Sequence, residues 1–316
     1  MPSALTFFKD FVSKNTPVII EGGMKSWRAT RAWDLASLRQ EQAKLEVTVN
    51  ITPDGRGDCV VEQDGALVFV KPEERRMTFD TFVDLISNTS GHCGVPYLSH
   101  QNDCLRADFP VLARDVEPCL GFAKEAFGNE PDAVNLWIGD DRAVSSVHKD
   151  HYENMYCVVR GEKQFTLLPP SDVMFLYEQL YPQARYQQDA ERGAFNVLLE
   201  EGSVNWSPVD PACPDLTRHP LFRYASPIQC TVQAGEILYL PSLWYHQVEQ
   251  KGLTIAVNYW HDMDFDHKFV LYNFLQGLAR CPNLLVANES LLGRTGEGDS
   301  SDTEEAETAS RKDPSR

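Results

Sequence analysis

The sequence has no Cys-x-x-Cys pair among its 8 cysteines, no apolar run near the ~18 residues that span a bilayer, and no excess of basic residues. Each absence excludes a class. Cysteines scattered over 59, 93, 104, 119, 157, 213, 230 and 281 build neither a zinc ribbon nor a dense secreted disulfide framework, and most are expected to be buried thiols. Met1 to Asn15 lacks a basic segment followed by a long apolar run, so the chain reads as soluble and intracellular, cytoplasmic or nuclear, with no membrane partner. With 29 Lys and Arg against 46 Asp and Glu, the net charge is −17 and no footprint exists for a phosphate backbone. Nucleic acid is therefore not an expected partner. The acidity suits a basic polypeptide, and equally suits solubility alone.

What is present suffices for a substantial core. The 316 residues, 42% of them hydrophobic, read as one domain over 1–286 and an acidic tail over 287–316, which from Gly293 onward has almost nothing apolar to bury and is expected to be disordered. Ser300, Ser301 and Thr303 lie among acids in that tail, a setting for acid-directed phosphorylation. Leu5 to Val12 has helical spacing closed by Pro17, and Val18 to Gly23 is a short β-type run. Leu45 to Thr52 alternates and stops at Pro53-Asp54-Gly55, a strand and a turn. Thr78 caps a helix whose Phe79, Phe82, Val83 and Ile86 form a core stripe. Val95 to Leu98 is a short strand with Tyr97 turned inward, and Val116 to Phe127 is helical, ending near Gly128. Strands follow at Ala133–Ile138, Gln164–Leu168, Cys230–Val232, Ile237–Leu240 and Thr254–Trp260, with a helix from Phe269 to Leu278. Residues 171–226 read as irregular and too long for a simple connection, hence functional or mobile.

Chemistry concentrates in His148-Lys149-Asp150-His151-Tyr152-Glu153-Asn154 and in Trp244-Tyr245-His246. The flanking Ala143–Val147 and Met155–Val159 alternate, which places His148 and Asp150 two apart on one strand face and turns His151 away. A His and a carboxylate completed by a later His form the 2-His-1-carboxylate set of a non-haem Fe(II) centre with open coordination positions. The iron ligands are expected to be His148, Asp150 and His246. A lone His-x-Asp is commonly surface chemistry. Lys163 in a strand and the Gly-turn, proline and His arrangement after it change that weighting. Lys163 is expected to return on the neighbouring antiparallel strand and clamp the far carboxylate of 2-oxoglutarate, whose keto-acid end fills two open metal positions and leaves one for O2. His92-Cys93 with His100 and Cys104 has poor zinc spacing and reads as an ordinary loop.

These residues resemble the Jumonji C hydroxylases among the cupin-type 2-oxoglutarate oxygenases, over roughly Phe7 to Cys281. The motifs are Pro-Asp-Gly at 53–55, Pro-Asp-Ala-Val-Asn at 131–135, the His148–Asn154 stretch, Gly-Glu-Lys at 161–163, Trp-Ser-Pro-Val-Asp-Pro at 206–211 and Leu-Tyr-Leu-Pro-Ser-Leu-Trp-Tyr-His at 238–246. The resemblance implies a mainly β fold with flanking helices, a distorted double-stranded β-helix or jelly roll. It carries the metal role to His148, Asp150 and His246. It gives Lys163 the distal carboxylate, with hydroxyls from Tyr97 and Ser145, and makes Asn154, Asn258 and Trp260 pocket-lining. At Ser145 related enzymes often carry Thr. Family members usually have residues before the first helix, whereas this chain starts almost at it; the core chemistry is expected to be unaffected.

The implied reaction couples decarboxylation of 2-oxoglutarate to hydroxylation of a C–H bond, here the β-carbon of a lysine in a developmentally regulated GTP-binding protein. The resemblance further implies a homodimer through C-terminal helices, 266 to 281. Acids at Asp103, Asp108, Glu153 or Asp210 are candidates to receive the lysine ammonium. Rival readings are a histone or protein lysine demethylase, a metallopeptidase with Glu153 or His151 as base, and a non-catalytic binding module. A peptidase would leave Lys163 without purpose, and a binding module would have little reason to keep all three ligands.

Overall fold

Two long runs rich in β-branched and aromatic residues, Tyr152–Leu168 and Tyr245–Asp262, pair antiparallel along almost their whole length. Everything else is hung on this ribbon. The structure is a computed structural model and describes residues 1–88, 94–189 and 191–281. The strands are β1 (Val18–Glu21), β2 (Glu46–Thr52), β3 (Arg56–Gly57), β4 (Cys59–Gln63), β5 (Ala66–Lys71), β6 (Glu73–Thr78), β7 (Val95–Tyr97), β8 (Ala133–Gly139), β9 (Val144–His148), β10 (Tyr152–Leu168), β11 (Gln179–Gln188), β12 (Phe195–Trp206), β13 (Ile228–Gln233), β14 (Glu236–Leu240) and β15 (Tyr245–Asp262). The helices are α1 (Ala4–Phe7, continued by a π-turn to Val12), α2 (Ala29–Ala32), α3 (Leu35–Gln42), α4 (Phe79–Ser87), α5 (Cys104–Ala107), α6 (Gly121–Phe127) and α7 (His267–Ala279).

The ribbon bends where its register slips, between Val158 and Glu162. Gly161 makes the bend possible, because its φ of +78° favours glycine and a Cβ there would lie 2.4 Å from the Leu253 carbonyl oxygen. Beyond the bend the ribbon changes neighbours. One half is flanked by β14 and β8, the other by β13 and β9, with β1 added to β14 and β3 to β9. Two sheets thus share the same pair of strands, and their inner faces meet over Tyr156, Phe165, Leu167, Val232, Leu238 and Val248. The jelly-roll expectation is borne out. The outer face of one half is closed by Phe7, Phe79, Phe82 and Phe109 against Met155, Tyr239, Val257 and Tyr259. Thr78 caps α4, accepting from the Thr81 amide, and all four residues of its apolar stripe are buried.

Several expectations need correction. Asp150 is not on a strand: β9 ends at His148 and Asp150 lies in the turn to β10. Lys163 does not return beside β9, because β15 runs between β9 and β10. The helix expected from Val116 starts at Gly121, since Pro118 disfavours helical backbone before it and Val116 is extended. Residues 171–226 are not irregular: β11 and β12 pair as a hairpin that joins β5 and β4 in a second sheet. Only Tyr181, Ala184 and Tyr186 are buried in β11, and the register shift between Pro182 and Ala184 breaks its alternation. Among the described residues most cysteines are not buried; Cys104 and Cys157 are, Cys59, Cys119 and Cys230 are half-buried, and Cys213 and Cys281 are exposed. His92, Cys93 and the whole acidic tail lie outside the described residues.

Candidate metal centre

His148 closes β9 and His246 is the second residue of β15, and the two stand opposite each other in the ladder. Their rings are 4.2 Å apart, centre to centre, and Asp150 Oδ2 reaches to 3.7 Å from His246 Nε2. The chain enters β15 through Pro241-Ser242-Leu243, with Leu243 at φ +68° and its amide donating to the Asp150 carbonyl at 2.9 Å. That bond ties the two ligand-bearing segments together. Each histidine is oriented by the same device: Nδ1 faces the carbonyl two residues earlier, Ser146 at 2.7 Å and Trp244 at 3.0 Å. A carbonyl only accepts, so Nδ1 carries the proton and Nε2 keeps its lone pair toward the centre. Burial, with His148 adding to it against Asp150, pushes His246 down to about 4, so it stands neutral and ready to ligate. The three donor atoms lie within 4.8 Å of one another.

Further along the same inner face is Lys163, fully buried. Its Nζ donates to the Tyr97 hydroxyl at 3.0 Å and rests against the Tyr97 and Tyr156 rings. Among the described residues no carboxylate pairs with it, and burial pushes it down to about 7. Tyr97 also bonds Ser145 and Tyr156, and lies so close to Gly139 that a Cβ there would meet its ring at 2.6 Å. The centre opens into a cavity of about 400 Å³ lined by His148, Asp150, Tyr97, Ser145, Trp137 and Trp206 among others.

The chain matches the family described as a cupin-like domain over residues 4–267. It belongs to that family. It is 43% identical over 285 residues to the Homo sapiens bifunctional peptidase and (3S)-lysyl hydroxylase JMJD7, covering 90% of this chain and 89% of that protein. The Arabidopsis thaliana lysine-specific demethylase JMJ32 is 42% identical over 291 residues, with 88% and 84% covered. The JmjC domain-containing protein E of Dictyostelium discoideum is 40% identical over 303 residues, with 87% and 86% covered. The chain is a cupin-like JmjC domain, and its enzyme class is the 2-oxoglutarate-dependent oxygenases.

The residues of this JmjC cupin fit such cofactors. Two imidazoles oriented through Nδ1 and a carboxylate suit a divalent iron, and a buried ammonium against a hydroxyl and two rings suits a carboxylate arriving with a ligand. His148, Asp150, Tyr97 and Ser145 line the cavity; His246 and Lys163 do not, but reach lining residues, His246 at 3.7 Å from Asp150 and Lys163 at 3.0 Å from the Tyr97 hydroxyl. Asn154, Asn258 and Trp260 do not line it: Asn258 bonds Asn154 and the Trp137 indole, and Trp260 stacks on Tyr152. His151 points away, against Phe265 and Phe269. The four candidate acids are not offered to the cavity. Glu153 is buried under Tyr239, Ser242 and Lys268, Asp103 pairs with Arg106, Asp210 with Arg56, and Asp108 faces His100 at 3.9 Å.

Lys149, between two ligands, was not singled out by its sequence. Its Nζ meets Glu178 at 2.6 Å, both nearly buried, and Glu178 also accepts from Tyr245, Asn205 and Gln276 of α7. One carboxylate therefore braces the turn of Asp150, the residue before His246, and the last helix. Burial pushes Glu178 up, but Lys149 and the other donors outweigh it and hold it below the ordinary range. Burial pushes Lys149 down, but Glu178 outweighs that and raises it. The pair's stabilisation is complete between the unfolded values of about 4.3 and about 10.4 and is lost below and above them, as pH passes the displaced folded values. Lys149→Met should lower the unfolding free energy by about 3–5 kcal/mol in urea titrations, because it strands a buried carboxylate. The double variant with Glu178→Leu should recover part of that loss, and the single variant should bind Mn(II) more weakly.

Proposed function

We propose that the protein is an Fe(II)- and 2-oxoglutarate-dependent hydroxylase acting on the β-carbon of a lysine in a protein substrate, a developmentally regulated GTP-binding protein. The observation that carries this reading is the buried Lys163 ammonium without a carboxylate, on the same inner face as His148, Asp150 and His246. A metallopeptidase would use the three ligands and leave that cation unexplained. The name of the human relative supports hydroxylation of lysine. The demethylase name of the Arabidopsis relative supports oxidation of an N-methyl group as the second reading, which needs the same ligands and the same cosubstrate.

When bound, the iron and 2-oxoglutarate would supply the oxidation, coupling decarboxylation to succinate and CO2 with insertion of one atom of O2 into a C–H bond. The chain's own groups have positioning tasks. His148, Asp150 and His246 would hold the metal at one face, while Lys163, Tyr97 and Ser145 would hold the distal carboxylate. Trp137 lines the space between. Exposed Val270, Leu271 and Phe274 on α7 support a homodimer through the last helix. A cytoplasmic or nuclear location belongs to the same proposal.

Two outcomes are expected. With Fe(II), 2-oxoglutarate and O2, a lysine peptide should gain the mass of one oxygen, located by fragmentation on the side chain; loss of a methyl group or chain cleavage would select a rival reading. Lys163 deprotonates above about 7 and must take up a proton to pair with a carboxylate. Calorimetric affinity of the Mn(II)-loaded protein for 2-oxoglutarate should therefore fall by about tenfold per pH unit above that point.

A further inference from the structure

Apart from the ligand Asp150, one carboxylate among the described residues lines the metal cavity: Asp58. Its position is set by the backbone. β3 runs parallel to β9 with Gly57 opposite Ser145, and the Asp58 carbonyl accepts from the Ser146 hydroxyl, which holds Asp58 one strand outboard of the approach to His148. Neighbouring strands are on the order of 5 Å apart, so the carboxylate stands beside the metal centre, close enough to act electrostatically on His148. Asp58 sits at φ +53°, a left-handed conformation that costs energy and is common at functional sites. Its carboxylate makes no hydrogen bond or ion pair among the described residues. The nearby cation Lys71 is held instead by Glu200 at 2.5 Å.

Two further features describe what would fit there. Asn50 lines the same cavity; its amide nitrogen donates to Ser99 Oγ at 2.8 Å, and its Oδ1 is buried without a donor. The same cavity has an aromatic part of its lining, with Trp206 parallel to the His148 ring at 6.0 Å and Phe69 packed on Trp206 at 4.8 Å. A slot with an unpaired carboxylate and an orphan acceptor at one end and flat aromatic surface along its side suits a methylene stem ending in an ammonium. The cavity continues outward into a polar one of about 590 Å³ that shares Asp58, Asn50 and Lys71.

We infer that Asp58 receives the substrate lysine's ammonium, with the Trp206 and Phe69 wall along the stem, and that this slot sets the preference for lysine. The inference rests on the hydroxylase reading. It places the charged end three methylenes from the β-carbon, so that one ion pair fixes which carbon faces the metal. No acid read from the sequence performs this task.

The test is binding to the full chain loaded with Mn(II) and 2-oxoglutarate under argon. The probes are a blocked peptide Gly-Gly-Lys-Gly-Gly and its norleucine counterpart, which lacks only the ammonium. The wild type should prefer lysine by about 30-fold, the size expected of a partly buried charge pair. Asp58→Asn keeps the shape and tolerates positive φ, and should abolish the preference while 2-oxoglutarate affinity, the control for folding, stays unchanged. Asp58→Glu should restore part of it. A preference that survives in Asp58→Asn, or is absent in the wild type, overturns the inference. If the preference depends on Asp58 but Fe(II) and O2 add no oxygen to the lysine peptide, the slot stands and the hydroxylase reading fails.

Discussion

The pairing of β10 with β15 is the constraint on which the rest depends. These two strands, 17 and 18 residues long, pass through both sheets of the jelly roll and are bent once, at Gly161. Because the side-chain period in a strand is two, the register of this single ladder decides which residues face inward along the whole site. It places His246 opposite Leu167 and Gln250 opposite Lys163, so the metal end and the cation end lie on one inner surface. A slip of one residue between the two strands would put His246 and Lys163 on opposite faces.

The site also shows how a costly arrangement is held. A fully buried ammonium without a carboxylate is unfavourable, and here hydroxyl and ring contacts from Tyr97 and Tyr156 offset only part of that cost. The neighbouring buried cation, Lys149, is in the opposite condition, paired with Glu178 inside a network of tyrosine, asparagine and glutamine donors. One lysine is left open to a ligand and the other is spent on rigidity. That contrast is the physical basis for assigning the first to binding and the second to positioning.

Much of this was legible in the sequence, and what was not has identifiable causes. The His148, Asp150 and His246 set and Lys163 stood out because few residue types ligate iron or clamp a carboxylate. The turn that carries Asp150 was hidden, since alternation on either side of 149–151 looks continuous in one dimension. The hairpin of β11 and β12 was missed because its buried residues are few, Tyr181, Ala184 and Tyr186 among glutamines and arginines. The turn Asp64-Gly65 joining β4 and β5 carried a readable signal, with both residues at positive φ, that was not taken up. Asp58 and Glu178 had no local signature at all. Their roles come from which strand lies beside which, a property of the closed fold.

The most direct test of the central claim, that Lys163 completes a 2-oxoglutarate site beside a His148, Asp150 and His246 iron centre, is an anaerobic titration of the Fe(II)-loaded protein with 2-oxoglutarate, followed by the visible charge-transfer absorption of the chelate. The account predicts a saturable band in the wild type, and in Lys163→Met the same band reached only at far higher 2-oxoglutarate concentration. Absence of the band, or equal affinity in both proteins, would contradict it.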